Sequence, residues 1–362
     1  MSTIEIRKIT KKFGDFVAVR DAELSVAAGE VVCLLGPSGC GKTTTLRMIA
    51  GLERATAGDV VIAGQRMNDL PPQKRNIAMV FQFYALYPAL TVGQNIAMPL
   101  HYEGIGSAEI TARVNKVADI VHLRDVLDRL SGQVSEGEKQ RVAVARAIVR
   151  DPNCFLFDEP LSRLDVELRH SMRGQIKAVL SNLSKATVIV THDQLEALTM
   201  ADRIAIMRDG RIEQVGSPHD VFARPANVFV ASFIGTPQMN LIDAEFSGYG
   251  NGKATVTFDQ KDVDLSVDPA VANLTPGRIT VGVRPRAFTV VPQDTEDTIE
   301  AMAELIEPMG AETLIHARTK TGSDIRVVMP REKKVKVGES LHLVPDFRQT
   351  HIFAANGKAV RA

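Results

Sequence analysis

The stretch Gly36-Pro37-Ser38-Gly39-Cys40-Gly41-Lys42-Thr43 decides the fold, because it fits the phosphate-loop pattern of a glycine, four residues and then Gly-Lys-Ser/Thr. The apolar run Val31–Leu35 before it predicts a strand buried on both faces, and Thr44–Ala50 after it predicts a helix that ends at Gly51. In this order, the glycines allow successive backbone N–H groups to point at phosphate oxygens. We expect the lysine to neutralise phosphate charge and the final threonine hydroxyl to reach Mg²⁺.

Length and composition set the class of protein. A chain of 362 residues exceeds one ordinary core, so two domains are expected. Hydrophobic residues make up 45% and charged residues 24%, which is typical of soluble globular proteins. Lys plus Arg (43) equals Asp plus Glu (43), so bulk charge gives no reason to expect a nucleic-acid or acidic-membrane partner.

The cysteines and the hydrophobicity of the sequence indicate the cellular compartment in which the protein works. Cys33, Cys40 and Cys154 show no CxxC spacing, and we expect reduced thiols in a cytosolic protein. The first residues, 1–7, alternate like a strand and lack the apolar core of a signal peptide. Since no apolar window is long enough to cross a bilayer, any work at a membrane requires a partner.

A pair of adjacent carboxylates follows a second apolar run. Cys154–Phe157 predicts a buried strand, and Asp158 and Glu159 stand at its end. Carboxylates after a strand often simply begin a loop. In a chain with a phosphate loop, they instead suggest that Asp158 holds Mg²⁺ while Glu159 polarises the attacking water.

Three further side chains are candidates for the same site. Gln82 follows the apolar run Ile77–Phe81, at the strand end where α/β sheets place ligand-contacting groups. His192 follows the predicted strand Thr187–Val190 and could contact a γ-phosphate, although a lone histidine is more often structural. Phe13, which precedes a glycine, could stack on a nucleotide base or could be a core residue at a hairpin.

Between the strands lie one irregular segment and two helical ones. Residues 83–99 are rich in Tyr, Leu and Pro, and are expected to form a docking surface if exposed or core if buried. Residues 108–130 show helical spacing of apolar side chains, and a further helix is predicted over 138–150.

The final third changes character. After Asn240, short alternating segments are separated by Gly, Pro and Asp turns, and they predict a small β-barrel as a second domain. The clearest of these segments are 277–290, 313–317, 324–329 and 340–344.

Taken together, these motifs resemble the ordered motif set of ABC-transporter ATPase subunits. The motifs are the phosphate loop, Gln82, Ser135–Arg141, Leu156–Pro160, Leu161–Asp165 and Val190–Asp193. The resemblance implies an α/β P-loop ABC ATPase domain over residues 1–235, with a helical subdomain at about 84–150. It also implies an OB-like, TOBE-type regulatory domain over 236–362.

The resemblance also implies roles for individual residues. Two subunits close head to tail, and each ATP lies between the phosphate loop of one and the signature motif of the other. Glu159 is then the general base, His192 holds the γ-phosphate, and Asp165 lies in a loop that meets its counterpart across the dimer. The implied Mg²⁺ ligands are Thr43, Gln82 and Asp158. The implied ATP-binding residues are Phe13, Gly36, Pro37, Ser38, Gly39, Cys40, Gly41, Lys42, Thr43 and Thr44.

The signature motif departs from the family pattern Leu-Ser-Gly-Gly-Gln. Two serines, Ser131 and Ser135, could occupy its position, and only Ser135 keeps the family's six-residue spacing to Arg141. The motif then carries Glu136 and Glu138 where a glycine and a glutamine are usual, around the expected Gly137. Carboxylates suit a helix N-terminus but repel a γ-phosphate unless they point away, so we expect this site to be weakened.

A second departure from the family pattern concerns the other subunit of the dimer. Arg163 stands where the dimer-contact loop usually has asparagine, and it could pair with an acidic residue of a non-identical subunit. A homodimer and a heterodimer therefore both remain open.

The segments Phe233–Asn240 and Gly282–Pro285 resemble ATPase subunits of bacterial importers for oligosaccharides, trehalose and glycerol 3-phosphate. This implies an ATP-hydrolysing subunit on the cytoplasmic face of the inner membrane, as a peripheral protein. The implied partners are a second ATPase subunit, two membrane permeases and, through these, a solute-binding protein, with no nucleic acid. Alternatives are a weakly active or regulatory subunit, and a soluble ABC ATPase of DNA repair or translation.

Overall fold

The computed structural model describes residues 3–162, 164–258, 261–265, 269–295, 298–346 and 349–361. The chain divides into two compact units, Met1–Pro218 and His219–Ala362. Arg163, on which the choice between a homodimer and a heterodimer was argued, lies outside these described ranges. Within them, every helix is too short or too polar to cross a bilayer.

The first unit alternates strands and helices. Its strands are β1 (Ile4–Phe13), β2 (Phe16–Val26), β3 (Val31–Leu35), β4 (Ala57–Ile62), β5 (Gln65–Arg66), β6 (Ile77–Val80), β7 (Cys154–Asp158), β8 (Ala186–Thr191), β9 (Arg203–Arg208) and β10 (Arg211–Gly216). Its helices are α1 (Lys42–Ala50), α2 (Val92–Tyr102), α3 (Ser107–Ile120), α4 (Glu136–Ile148), α5 (Val166–Asn182) and α6 (Gln194–Met200).

A six-stranded sheet in the order β10-β9-β3-β8-β7-β6 forms the centre of this unit. Its strands from β9 to β6 run parallel, and β3, β7 and β8 are buried along their whole length, as their apolar sequences predict. The register pairs Leu35 with Thr191 and Asp158 with Val190. The carboxyl ends of these strands therefore meet at one edge, where the loops that carry the predicted motifs begin.

A second, antiparallel sheet has the order β2-β1-β4-β5. Phe13 and Phe16 pair across the tight turn between β1 and β2, so the predicted hairpin is present. The inner faces of β1 and β2 contribute Ile9, Val19 and Leu24 to the same core as β3 and α1.

Helix α1 begins at Lys42, two residues before the predicted start, and ends at Gly51 as predicted. Gly51 has a φ of 79°, a left-handed cap that glycine adopts without strain. The buried Arg75 guanidinium donates through one nitrogen to the carbonyls of Met48 and Ile49, at 2.8 and 2.9 Å. It thereby satisfies the last carbonyls of the helix that carries the phosphate loop.

The helix predicted over 108–130 is too long. Helix α3 ends at Ile120, because His122 takes a left-handed backbone conformation with a φ of 54° that no α-helix contains. The chain then makes a short 3₁₀ turn at Arg124–Val126. The helix predicted over 138–150 is present as α4, but it begins and ends two residues earlier.

The second unit is all-β after two short helices. The helices are α7 (Pro218–Ala223) and α8 (Val228–Phe233); the strands are β11 (Asn240–Gly250), β12 (Lys253–Phe258), β13 (Lys261–Leu265), β14 (Gly277–Val283), β15 (Phe288–Val291), β16 (Ile299–Pro308), β17 (Glu312–Thr319), β18 (Asp324–Pro330), β19 (Ser340–Pro345) and β20 (Thr350–Phe353). They form two five-stranded sheets, β13-β12-β11-β14-β20 and β15-β19-β16-β17-β18. Alternate residues of both sheets fill one apolar core, which confirms an all-β domain after an α/β one.

Candidate functional site

The phosphate loop is built so tightly that its glycines are required. A Cβ on Gly36 would lie 2.3 Å from the Met207 carbonyl oxygen, and one on Gly41 would lie 2.6 Å from that of Ala18. Gly41 also has a φ of 104°, which strains any residue with a side chain. The loop backbone therefore lies close to its neighbours and turns directly into α1.

Lys42 is buried and its ammonium is held by the loop itself. Nζ donates to the carbonyl oxygens of Gly36 and Pro37, at 2.7 and 2.9 Å. The positive charge thus lies inside the curve of the loop, beside the N-terminus of α1, where an anion is favoured.

Thr43 and Asp158 come together from α1 and β7. The Thr43 hydroxyl donates to the Asp158 carboxylate at 3.1 Å. Two oxygens this far apart fit adjacent positions around one Mg²⁺, whose ligands lie at about 2.1 Å in octahedral geometry. The described residues contain no group of three His, Cys, Asp or Glu side chains that could hold a metal unaided. Phosphate oxygens and water would have to supply the remaining ligands.

Burial raises the pKa of Asp158, and the Thr43 hydrogen bond only partly opposes this. The charged carboxylate therefore costs folding free energy at neutral pH. This cost disappears as the pH falls through the raised pKa towards the pKa of the unfolded chain.

We expect the substitution Asp158→Asn to raise the melting temperature of nucleotide-free protein at neutral pH, by roughly 1–3 °C, because it removes this buried charge. The same change should weaken the response of ATP binding to Mg²⁺. Scanning calorimetry in EDTA tests the first effect, and a lowered melting temperature would contradict it. The exposed Asp128→Asn variant serves as a control for changing a carboxylate to an amide.

Glu159, Gln82 and His192 form a second cluster beside this pair. One Glu159 carboxylate oxygen accepts from Gln82 Nε2 at 3.1 Å, and the other lies 3.1 Å from His192 Nδ1. Glu159 has a φ of 46°, and its amide donates to the Val190 carbonyl at 2.9 Å. The backbone after β7 thus turns sharply and presents the carboxylate to both partners.

Ser162 belongs to this cluster, although the motif Leu161–Asp165 that contains it gave the serine no role of its own. Its hydroxyl donates to the Glu159 carbonyl at 3.0 Å and lies 3.3 Å from Gln82 Nε2. Sequence alone gave little sign of it, because a serine three residues after a carboxylate pair is a common loop residue.

Phe13 lies outside the cluster, at the tip of the β1–β2 hairpin. Its side chain is 48% exposed, and Lys11 Nζ lies 4.6 Å from the ring centroid. The open ring face can stack on a planar group such as a base, whereas a core role is excluded by this exposure.

Ser135 caps helix α4 and is held by a carboxylate. Glu138 accepts from the Ser135 amide at 2.7 Å and from its hydroxyl at 2.8 Å, and the hydroxyl accepts from the Glu138 amide at 3.3 Å. The hydrogen bond from the Ser135 amide, followed by that from the hydroxyl, lowers the pKa of Glu138. Glu136 instead forms an ion pair with Lys139 at 2.6 Å. The two carboxylates that depart from the family pattern therefore both have partners at the start of α4. Glu136 pairs with the Lys139 ammonium, and Glu138 accepts from the amide and hydroxyl of Ser135.

The alternative signature serine has a different environment. Ser131 is buried, and its hydroxyl donates to the Tyr87 carbonyl at 3.0 Å. Asp165 likewise caps helix α5, since its side chain accepts from the Leu168 amide at 2.8 Å. The contacts of Ser135 and Asp165 lie within their own helix termini, so they do not bring either residue into the Glu159 cluster.

The segment 83–99, expected to be irregular, is so only as far as Thr91, because Val92–Tyr102 forms helix α2 with Pro99 inside it. The segment contributes to an exposed groove of about 670 Å³. Tyr87, Met98 and Tyr102 line it together with Phe81, and Arg146 and Glu103 stand at its polar side. Phe83 is 61% exposed and Tyr102 is 82% exposed, so a large apolar surface faces outwards in this unit.

Comparison with protein families gives two matches. The family model "ABC transporter" matches residues 19–162, and the model "TOBE domain" matches residues 281–353. The first range includes the phosphate loop, Gln82 and the acidic pair. The second lies in the all-β unit.

Relatives match the whole chain. It is 43% identical to the alpha-glucoside transport ATP-binding protein AglK of Rhizobium meliloti, with 100% of both chains covered. It is 41% identical to the sn-glycerol-3-phosphate import ATP-binding protein UgpC 1 of Rhizobium johnstonii, covering 98% of this chain and 95% of that one. It is 42% identical to the trehalose/maltose import ATP-binding protein MalK of Thermococcus litoralis, covering 99% and 100%.

A solved structure matches part of the chain. The dimeric, post-hydrolysis structure of the ATP-binding cassette MJ0796 with ADP and Pi is 30% identical, with a TM-score of 0.53. It covers 59% of this chain and 98% of that one. With its motif order, its two family matches and relatives of 41–43% identity over nearly its full length, the chain belongs to the ATP-binding subunits of ABC transporters.

Proposed function

We propose that this chain is the ATP-hydrolysing subunit of an importer for a carbohydrate or polyol-type solute, such as a sugar, glycerol or glycerol 3-phosphate. The observation that carries the proposal is the convergence of the phosphate loop with Asp158, Glu159, Gln82 and His192 at one sheet edge. The names of the relatives support the solute class, since they include importers of alpha-glucoside, sn-glycerol-3-phosphate and trehalose/maltose.

The phosphate loop is proposed to bind ATP through the backbone from Gly36 to Thr44 and the Lys42 ammonium. Lys42 would exchange its loop carbonyls for phosphate oxygens, which form stronger charge-assisted hydrogen bonds. Phe13 is proposed to stack on adenine. Thr43, Asp158 and Gln82 would hold Mg²⁺, which when bound neutralises phosphate charge.

Glu159 is proposed to accept a proton from the attacking water, with His192 oriented towards the γ-phosphate. The contact of 3.1 Å between them fixes the imidazole, and Gln82 holds the other carboxylate oxygen at 3.1 Å. A general base must lie within hydrogen-bond reach of its water, and these contacts orient the carboxylate at the sheet edge beside the phosphate loop.

The working unit is proposed to be a dimer in which Ser135, Glu136, Gly137 and Glu138 face the ATP of the other subunit. Ser135 is exposed at the N-terminus of α4, a position that suits an anion, whereas Ser131 is buried. Gly137 has little room for a side chain, because a Cβ would lie 3.1 Å from Leu168. Asp165 is proposed to lie in the loop that meets its counterpart across the dimer.

We expect Glu138→Gln to raise kcat by about three- to tenfold, because an amide oxygen can still accept from Ser135 while the charge that repels a γ-phosphate is removed. The lowered pKa of Glu138 keeps that charge present throughout the neutral range. Phosphate release at saturating ATP measures the effect. The control is Glu167→Gln, an exposed carboxylate in the first turn of α5, and an unchanged or lower kcat in Glu138→Gln would oppose the proposal.

The groove around Tyr87 and Tyr102 is proposed to receive a membrane permease. A dimer has two such grooves, so it would bind two permeases, one on each ATPase subunit. The chain would then lie on the cytoplasmic face of the membrane as a peripheral protein, and reach a solute-binding protein only through the permeases. Residues 1–235 would form the ATPase domain, with a helical subdomain at about 84–150, and residues 236–362 the OB-like regulatory domain.

Reconstitution tests this function. The chain and the permeases encoded beside its gene should together give vesicles that take up a carbohydrate or polyol only when ATP is supplied on the side of this chain. ATP hydrolysis without any membrane partner or solute dependence would favour a soluble ABC ATPase instead.

A further inference from the structure

The Glu159–His192 contact needs support from elsewhere in the chain. Glu159 adopts the left-handed backbone conformation, with a φ of 46°, which is strained for a residue with a side chain. Its carboxylate and the His192 imidazole are 3.1 Å apart, and they follow two neighbouring strands, β7 and β8. The Glu159 amide joins the two strand ends through the Val190 carbonyl at 2.9 Å, and the loops that follow the strands are held by further contacts.

The loop after β7 is tied to Glu159 at one end and to helix α5 at the other. Ser162 donates to the Glu159 carbonyl through its hydroxyl at 3.0 Å and its amide at 3.3 Å. Further along, the Leu164 amide donates to the Leu161 carbonyl at 3.2 Å, and the Leu164 carbonyl accepts from Arg169 at 3.0 Å. Arg169 thus fixes the far end of this loop.

The loop after β8 is tied to the same arginine. Arg169 donates through its other terminal nitrogen to the Asp193 carboxylate at 3.3 Å, and Arg173, one turn later, donates to the same oxygen at 2.9 Å. The other carboxylate oxygen of Asp193 caps α6, accepting from the Leu195 and Glu196 amides at 2.8 and 3.2 Å. Asp193 therefore fixes the backbone that begins at His192.

Asp193 is charged under working conditions. Burial opposes ionisation, but the Glu196 amide and the Arg173 charge outweigh it and lower the pKa of Asp193. The side chains of Arg169 and Asp193 are 25% and 19% exposed, so solvent screens their attraction only in part.

We propose that Arg169 is a positioning residue for ATP hydrolysis. Its single guanidinium binds both the Leu164 carbonyl and Asp193, and so closes a ring of contacts that runs from Glu159 through the loop to His192 and back. Among the described residues, the hydrogen-bond acceptor of the Arg173 side chain is Asp193, so Arg173 holds α5 to the start of α6. The inference rests on the proposed function, because it assigns Arg169 to the hydrolytic pair of that same site.

The two arginines provide a matched pair of variants, Arg169→Lys and Arg173→Lys. A lysine ammonium keeps the charge but lacks the planar fork that reaches two acceptors at once. We expect Arg169→Lys to lower kcat by about tenfold with KM changed less than about twofold, because small misplacement of catalytic groups affects chemistry more than binding. Arg173→Lys should lower kcat by less than about twofold, although its thermal midpoint should fall at least as far as that of Arg169→Lys.

Hydrogen exchange on the full chain without nucleotide provides a measurement that is independent of turnover. Arg169→Lys should increase exchange in both 161–165 and 191–196, whereas Arg173→Lys should increase it only in 191–196. Equal kcat losses in the two variants, or no added exchange at 161–165 in Arg169→Lys, would overturn the proposal. If wild-type protein hydrolyses no ATP, the proposed function fails and so does the catalytic role of the ring, while exchange still reports whether Arg169 joins the loops.

Discussion

Replacing Glu159 by glutamine is expected to lower kcat by about 10²- to 10⁴-fold while ATP binding persists, because glutamine cannot take a proton from water. The fold should tolerate the change. Glutamine has nearly the same shape, and its carbonyl oxygen can accept one of the two bonds that the carboxylate has with Gln82 and His192. Blocked hydrolysis should also trap the dimer, since ATP then stays between the subunits.

Steady-state phosphate release and size-exclusion chromatography with Mg-ATP measure these two effects. Glu167→Gln is the matched control, because Glu167 is an exposed carboxylate in the first turn of α5. Hydrolysis at the wild-type rate in Glu159→Gln would remove Glu159 as the general base and leave the site without an assigned proton acceptor.

Replacing Lys42 by alanine is expected to weaken ATP binding by at least about a hundredfold. The ammonium now donates to two loop carbonyls, at 2.7 and 2.9 Å, and lies where phosphate oxygens would replace them. Each charge-assisted hydrogen bond to phosphate contributes about 1.5–3 kcal/mol, so the loss of two accounts for an effect of this size.

Fluorescence titration with a labelled ATP analogue measures this affinity. Lys116→Ala, an exposed position on α3, controls for the loss of one positive charge. Equal affinity in Lys42→Ala and Lys116→Ala would mean that the triphosphate binds elsewhere, and the roles assigned to the phosphate loop would then fail.

The sequence predicted the parts of the fold that local patterns determine. The buried strands β3, β7 and β8 are short apolar runs, and a loop with chemistry follows each of them. Once the strands are parallel, their carboxyl ends must lie together, so the contacts of Thr43 with Asp158 and of Glu159 with His192 follow from topology.

The remaining features depend on long-range or backbone detail. The end of α3 depends on the left-handed His122, and apolar spacing carries no signal for that conformation. The tail segment 277–290 divides where Arg284 and Pro285 end β14, although its apolar pattern reads as continuous.

Contacts between distant residues could not be predicted either. Arg169 and Asp193 are 24 residues apart, and no local pattern relates them. The carboxylates of the signature motif were expected to repel a phosphate, and the structure adds that Glu138 binds Ser135, as the local capping-box pattern Ser-x-x-Glu favours.

The most direct test of the account is calorimetric titration of the wild-type chain with a non-hydrolysable ATP analogue, first in Mg²⁺ and then in EDTA. We expect saturable binding of about one nucleotide per chain in Mg²⁺ and clearly weaker binding in EDTA, because Thr43 and Asp158 then lose the ion that would join them to the phosphates. Folded protein that takes up no nucleotide in either buffer would contradict it.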